Sequence, residues 1–301
     1  MTDEIPRGLP APPALGAAAL PPGTYEGQVV LVTGGGTGLG KAIATEFARL
    51  GADLVIASRR AEQLKAAREE LAAVPGAGRV TAAVCDIRDP ERVADVFDAA
   101  QAAFGLPDVL VNNAAANFPS PAEDLSPRAW RAVVDITLTG TWFMTREFGR
   151  RHLAAGTPGS IVNIGASYAW TGGPGFAHSA AAKAGVKNLV ETLAVEWGPY
   201  GIQINGLVPG LFPHADMSED IRGGLERAAP GTKDARQPAL RVGAPRELGW
   251  AATFLASPYA RFVTGHTLVV DGANWQRRSV VNPEVVPVRT QLGRGPFTAS
   301  S

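Results

Sequence analysis

Cysteine is nearly absent. Cys85 is the one cysteine among 301 residues, which excludes an intrachain disulfide and suits a reducing compartment. The histidines are few as well. His152, His178, His214 and His266 show no metal-ligand spacing, so no structural zinc and no other metal is expected. Charge of one sign is missing: 28 Lys and Arg are matched by 28 Asp and Glu, leaving no net field to draw a polyanion, and no nucleic-acid partner is expected. No apolar run reaches the roughly 18 residues that cross a bilayer, so no membrane partner is expected either. Hydrophobic residues are plentiful, at 46% of the chain, and can fill a core. Domains average roughly 150 residues but α/β folds run to about 250 as one unit. One large domain with tails is the expectation.

Residues 1–24 carry Pro6, Pro10, Pro12, Pro13, Pro21 and Pro22 among Ala and Gly. Proline fixes φ and removes backbone donors, so this stretch is expected to be a flexible arm without regular structure. Asp3 and Glu4 stand where a secretory signal has basic residues, and prolines interrupt any apolar core there. From Glu26 onward, short β-branched runs alternate with longer amphipathic stretches: strands at Val29–Val32, Leu54–Ala57, Val80–Val84, Val109–Val111, Ile161–Ile164, Ile202–Val208 and Thr267–Val270. Helices are expected at about Leu39–Leu50, Ala61–Ala73, after Pro90, around Trp130–Leu153, Ala177–Trp197 and Glu247–Ala256. The strands are continuously apolar, as in a parallel sheet covered on both faces. The fold class is therefore α/β, a single doubly wound Rossmann-type sheet over residues 25–275. Residues 210–242 break the rhythm with prolines, glycines and charges just past the sixth strand, where an open α/β sheet has its ligand crevice. They read either as a substrate flap or as a tolerated surface loop. The tail from 276 to 301 reads as disorder or as packing on a neighbouring subunit.

Thr33-Gly34-Gly35-Gly36-Thr37-Gly38-Leu39-Gly40 follows an apolar strand and opens a helix. Glycines allow a tight turn and close backbone approach, and the helix N-terminus attracts a pyrophosphate, so Gly34, Thr37, Gly38, Leu39 and Gly40 are candidate cofactor ligands. About 20 residues beyond such a turn, an acid holds the ribose of NAD and an arginine accommodates the 2′-phosphate of NADP. Here the sequence reads Ser58-Arg59-Arg60, without the acid. NADPH is the expected cofactor, with Ser58 and Arg59 on the 2′-phosphate; the other reading is that the arginines only solvate the start of the next helix.

Together with this turn, Asp86 after the third strand, Asn112-Asn113-Ala114-Ala115 after the fourth, Ser179 to Lys183 on a helix, and Pro209-Gly210 after the sixth strand make a pattern that resembles the short-chain dehydrogenase/reductase family over about residues 26–275. The resemblance implies that Asp86 contacts the adenine and that Asn112 and its neighbours, with Pro209 and Gly210, line the cofactor cleft. The chain departs from the family at the usual catalytic positions. Where common members carry tyrosine, serine and asparagine, this sequence has Ser179, Ala166 and Thr137.

Of the four tyrosines, only Tyr168 follows a strand at the carboxyl edge beside the expected cofactor, and Asn117 similarly follows the fourth strand. Either is also readable as a loop-packing or turn residue. The altered arrangement resembles the 2,4-dienoyl-CoA reductase branch: Asn-Ala-Ala-Ala-Asn-Phe at 113–118, Leu125-Ser126-Pro127 before Trp130, Ser167-Tyr168-Ala169, and Ala194-Val195-Glu196-Trp197-Gly198. Carried over, that resemblance makes Tyr168 and Asn117 donors to the substrate oxygen, Lys183 the nicotinamide-ribose ligand and Ser179 a neighbouring hydroxyl. Lys183 and Ser179, four apart on a helix, share a face. The implied reaction is NADPH-dependent reduction of a 2,4-dienoyl-CoA thioester in fatty-acid degradation, by hydride transfer to C5 and protonation at Cα through a dienolate. Arg222, Arg227, Lys233, Arg236 and Arg241 read either as CoA-phosphate contacts or as a solvated charged loop. The resemblance also implies a homotetramer. The chain closes on Ala299-Ser300-Ser301 rather than a peroxisomal tripeptide, and the cytoplasm is the expected compartment. Two other functions stay open: an NADPH-dependent 3-oxoacyl or hydroxyacyl oxidoreductase, and a catalytically silent NADPH-binding scaffold.

Overall fold

The structure, a computed structural model, describes residues 9–215, 217, 237–276 and 287–295. Seven parallel strands form one sheet in the order β3-β2-β1-β4-β5-β6-β7. They are β1 (Val29–Thr33), β2 (Asp53–Ser58), β3 (Val80–Val84), β4 (Val109–Asn112), β5 (Gly159–Ile164), β6 (Ile202–Pro209) and β7 (Thr267–Val270). Helices α1 (Gly38–Arg49), α2 (Ala61–Ala72), α3 (Pro90–Ala103), α4 (Pro127–Val134), α5 (Thr141–Ala155), the single turn α6 (Tyr168–Thr171), α7 (Ala177–Trp197), α8 (Pro245–Ala256) and the short α9 (Val288–Gln291) make the connections and close the chain. Among the described residues no helix is long and apolar enough to cross a membrane.

Alternation of side chains along each strand divides the core between the two faces of the sheet. Val30 and Val32 of β1 pack with Ile43 and Phe47 of α1, Leu64 of α2, and Leu248 and Leu255 of α8. Val29 and Leu31 pack on the other face with Phe97 of α3, Met144 and Phe148 of α5, and Val190 of α7. The expected continuous apolar strands thus serve two layers at once. Helix starts follow local chemistry: Asp89 caps α3 by accepting from the Glu91 and Arg92 amides, with Pro90 at the first helical position, and Ser126 caps α4 by accepting from the Ala129 amide.

The helix expected around Trp130–Leu153 is interrupted. Asp135–Gly140 forms a π-helical turn between α4 and α5. Gly140 lies so close to Ile87 that a Cβ there would sit 2.6 Å from its side chain, and the extra residue lets the helix pass. Residues 9–24 carry no helix or strand and lie along α8: Arg241 donates to the Pro10 carbonyl, Arg246 to Pro13, and Trp250 to Ala17.

Candidate active site

Strand order reverses between β1 and β4, so their carboxyl ends diverge and leave a crevice. The glycine turn occupies it. Gly34 and Gly38 have φ of +64° and +54°, a region costly for residues with a Cβ. Gly40 has another reason: a Cβ there would stand 2.2 Å from the Gly34 carbonyl oxygen, so only glycine lets α1 rest on the turn. Thr37 makes no side-chain cap at the head of α1, and the first turn carries no acid, an arrangement suited to a phosphate.

A cleft of about 340 Å³ opens there, lined by Gly34, Thr37, Gly38 and Leu39 of the turn, by Ser58 and Arg59 at the end of β2, and by Asp86 beyond β3. Arg60 lines it too. Arg88 donates to both oxygens of Asp86 and holds its carboxyl below the usual range, which keeps it an ionised acceptor. Five expected cofactor residues are outside this lining: Lys183, on α7, and four others. Gly40 is under the turn; Asn112 is buried and donates to Thr145 and Asn163, tying β4 to α5 and β5. Pro209 pairs with Val270, and Gly210 lies against Asp271. It is Asn113 that faces the cleft, its amide donating to the carbonyls of Thr33 and Gly34 and so pinning the turn. His214, beside Gly38, also lines the cleft and was not singled out in the sequence. Cys85 lines it as well, its buried thiol raised to about 11 and so unreactive.

A second group of polar side chains gathers next to this cleft. Tyr168 opens α6 just past β5, and its hydroxyl lies 2.9 Å from Ser179 Oγ on α7. The Asn117 amide, five residues beyond β4, donates to the same hydroxyl at 3.3 Å. Burial raises the Tyr168 phenol above its ordinary value, with the Ser179 contact opposing, so it remains an O–H donor near neutral pH. Lys183, one turn along α7 from Ser179, is buried and donates to the Ile164 carbonyl; burial lowers its ammonium to about 8. The structure therefore brings Tyr168, Asn117 and Ser179 into contact, with Lys183 one helical turn away on α7.

Supporting residues explain the placement. Thr137, on the π-helical turn, exchanges hydrogen bonds with the Ala116 backbone at 3.3 and 3.4 Å and so holds the residue before Asn117. His178 Nδ1 accepts the Ser179 amide at 2.8 Å, and its ring meets Phe118 edge-on. Phe176 stacks on the Tyr168 ring. Asn117 Oδ1 is buried without a hydrogen-bond partner among the described residues, so polar capacity is left over at this site. Among the expected cationic residues, Arg241 is engaged by Glu247 and Pro10, while Arg222, Arg227, Lys233 and Arg236 lie outside the described residues.

Comparison with known proteins identifies the family. A family model described as "Enoyl-(Acyl carrier protein) reductase" matches residues 34–273. A protein of Bacillus subtilis named as a probable 2,4-dienoyl-CoA reductase, (2E)-enoyl-CoA-producing, is 39% identical over 251 residues, covering 83% of this chain and 97% of that protein. The peroxisomal 2,4-dienoyl-CoA reductase of Mus musculus, named as (3E)-enoyl-CoA-producing, is 37% identical over 258 residues, with coverage of 84% and 86%. The crystal structure of a short chain dehydrogenase from Bacillus anthracis shares the fold at a TM-score of 0.73 and 38% identity, over 82% of this chain and 96% of that one. The chain belongs to the short-chain dehydrogenase/reductase family and is an oxidoreductase. The family's fold implies a nicotinamide dinucleotide, and the uncapped glycine turn fits one.

Proposed function

We propose that this chain reduces 2,4-dienoyl-CoA thioesters with NADPH, within fatty-acid degradation. The contact of Tyr168 with both Asn117 and Ser179 carries the reading, since it sets two donors side by side next to a dinucleotide cleft. When bound, NADPH supplies hydride to C5 of the diene. Negative charge then moves through the double bonds to the thioester oxygen, where Tyr168 O–H and the Asn117 amide bind it more tightly as it grows. Ser179 accepts from or donates to Tyr168 and sets the direction of its hydroxyl. Lys183 holds the nicotinamide ribose and adds positive potential. Protonation at Cα completes the reaction; the relatives' names differ in product isomer, and the resemblance favours the 3-enoyl thioester. Arg59 and Ser58, where an NAD-binding acid is missing, support the choice of NADPH over NADH. Assembly as a homotetramer and a cytoplasmic location complete the proposal.

Oxidation of NADPH and NADH by purified protein with 2,4-hexadienoyl-CoA and, in parallel, acetoacetyl-CoA tests it. NADPH-preferring turnover of the dienoyl thioester is expected. Turnover of the ketoacyl thioester alone makes the protein a carbonyl oxidoreductase; cofactor binding with silence on both substrates makes it a scaffold.

A further inference from the structure

Tyr168 and Asn117 lie on the two segments that leave the neighbouring strands β5 and β4, four and five residues past the last paired strand positions. Besides the Asn117–Tyr168 contact itself, the loops are joined where the Ser120 amide donates to the Gly175 carbonyl at 2.8 Å. Residues far along the chain touch both. Arg289 donates to Asp124 at 2.7 Å and to Glu123 at 3.1 Å, in the turn that follows Asn117. Arg294 donates to the other oxygen of Asp124 at 3.1 Å. Arg289 Nε also takes the Gly295 carbonyl, closing segment 287–295 on itself. On the other loop, Val288 Cγ1 stands 3.4 Å from where a Cβ on Gly175 would sit. Gly173, in the same loop, would meet the Tyr168 side chain with a Cβ at 3.1 Å. The side chains of Arg289 and Asp124 are each only 22% exposed, so water competes less for this pair than for the open ion pairs of the surface.

We infer that residues 287–295 form a strap joining the two donor loops, with Arg289 as a positioning residue for Tyr168 and Asn117. The inference rests on the reading that these two side chains are the donors. No described residue of the strap lines the nucleotide cleft. Loss of Arg289 therefore loosens the donors and leaves cofactor binding alone.

Hydrogen–deuterium exchange on the full chain tests the strap without any substrate, comparing wild type, Arg289→Ala, Asp124→Asn and the double variant. Peptides covering 118–126 and 168–176 are expected to exchange about threefold to fivefold faster in Arg289→Ala, the scale of a partly shielded ion pair, while peptides of β1, α1 and β2 stay unchanged. The double variant is expected to exchange less than the sum of the two single effects, because both substitutions remove the Arg289–Asp124 contact they share. With 2,4-hexadienoyl-CoA, Arg289→Ala is expected to lower kcat by a similar factor at unchanged NADPH affinity. Unchanged exchange in both loops, or strictly additive effects, overturns the strap. A wild-type protein that leaves the dienoyl thioester untouched overturns the proposed reaction, and the exchange comparison still decides the strap.

Discussion

Lys183 is a buried cation on α7. A buried ammonium loses hydration, and its ordinary value of 10.5 falls to about 8. If its positive charge helps bind the ribose and the growing oxyanion, kcat/KM falls as pH rises through about 8, where the free enzyme loses that proton. A profile that stays flat through this pH contradicts the role. The sign for stability is opposite: between about 8 and 10.5 the unfolded chain binds the proton and the folded one does not, so this group alone makes stability rise with pH in that window. The spacing of Ser179 and Lys183 was readable in the sequence because one helical turn fixes it. Which of Asn112 and its neighbours faces the cleft was not, since β4 ends at Asn112 and the path of the chain beyond it turns Asn113 toward the glycine turn.

Among the elements, the turn into α1 is the most constrained. Gly40→Ala places a methyl group 2.2 Å from the Gly34 carbonyl oxygen and 2.4 Å from the Asn113 amide, so α1 must shift away from the turn. NADPH affinity is expected to fall at least about tenfold, or about 1.4 kcal/mol, in a fluorescence titration. Unchanged affinity contradicts the close-packing argument. Strand positions were legible because parallel strands buried on both faces are runs of Val, Ile and Leu, and the helix from Ala177 to Trp197 matches its expected span. The π-helical turn at Asp135–Gly140 was not legible. It arises from the contact of Gly140 with Ile87, residues more than fifty apart, and a periodicity of 3.6 holds no trace of such a meeting.

At the scale of the molecule, the sheet and its two layers explain where the crevice lies, and the N-terminal segment covers α8 on the outside. Residues 9–24 supply carbonyls to Arg241, Arg246 and Trp250, and Leu20 packs against the core. Carbonyl acceptors belong to every residue, which is why composition alone suggested only a flexible arm. Deleting residues 1–20 removes the four side-chain hydrogen bonds to these three carbonyls and the bond from the Leu9 amide to Ala239, each contributing at most roughly 0.5–1.5 kcal/mol. For a chain of 301 residues about 2 kcal/mol corresponds to a Tm lower by roughly 3–4 °C, which scanning calorimetry reads directly. An unchanged Tm means that these contacts add nothing. None of these hydrogen bonds reaches either donor loop, so catalysis is expected to survive the deletion.

The central claim is that Tyr168 and Asn117 bind the developing charge, and single-turnover hydride transfer to a dienoyl thioester at saturating NADPH measures it most directly. Tyr168→Phe is expected to slow that step by roughly 10²–10³, the scale of one lost oxyanion donor, with NADPH affinity intact. Ser179→Ala, which removes only the partner of that hydroxyl, is expected to cost clearly less. A Tyr168→Phe rate near wild type contradicts the account.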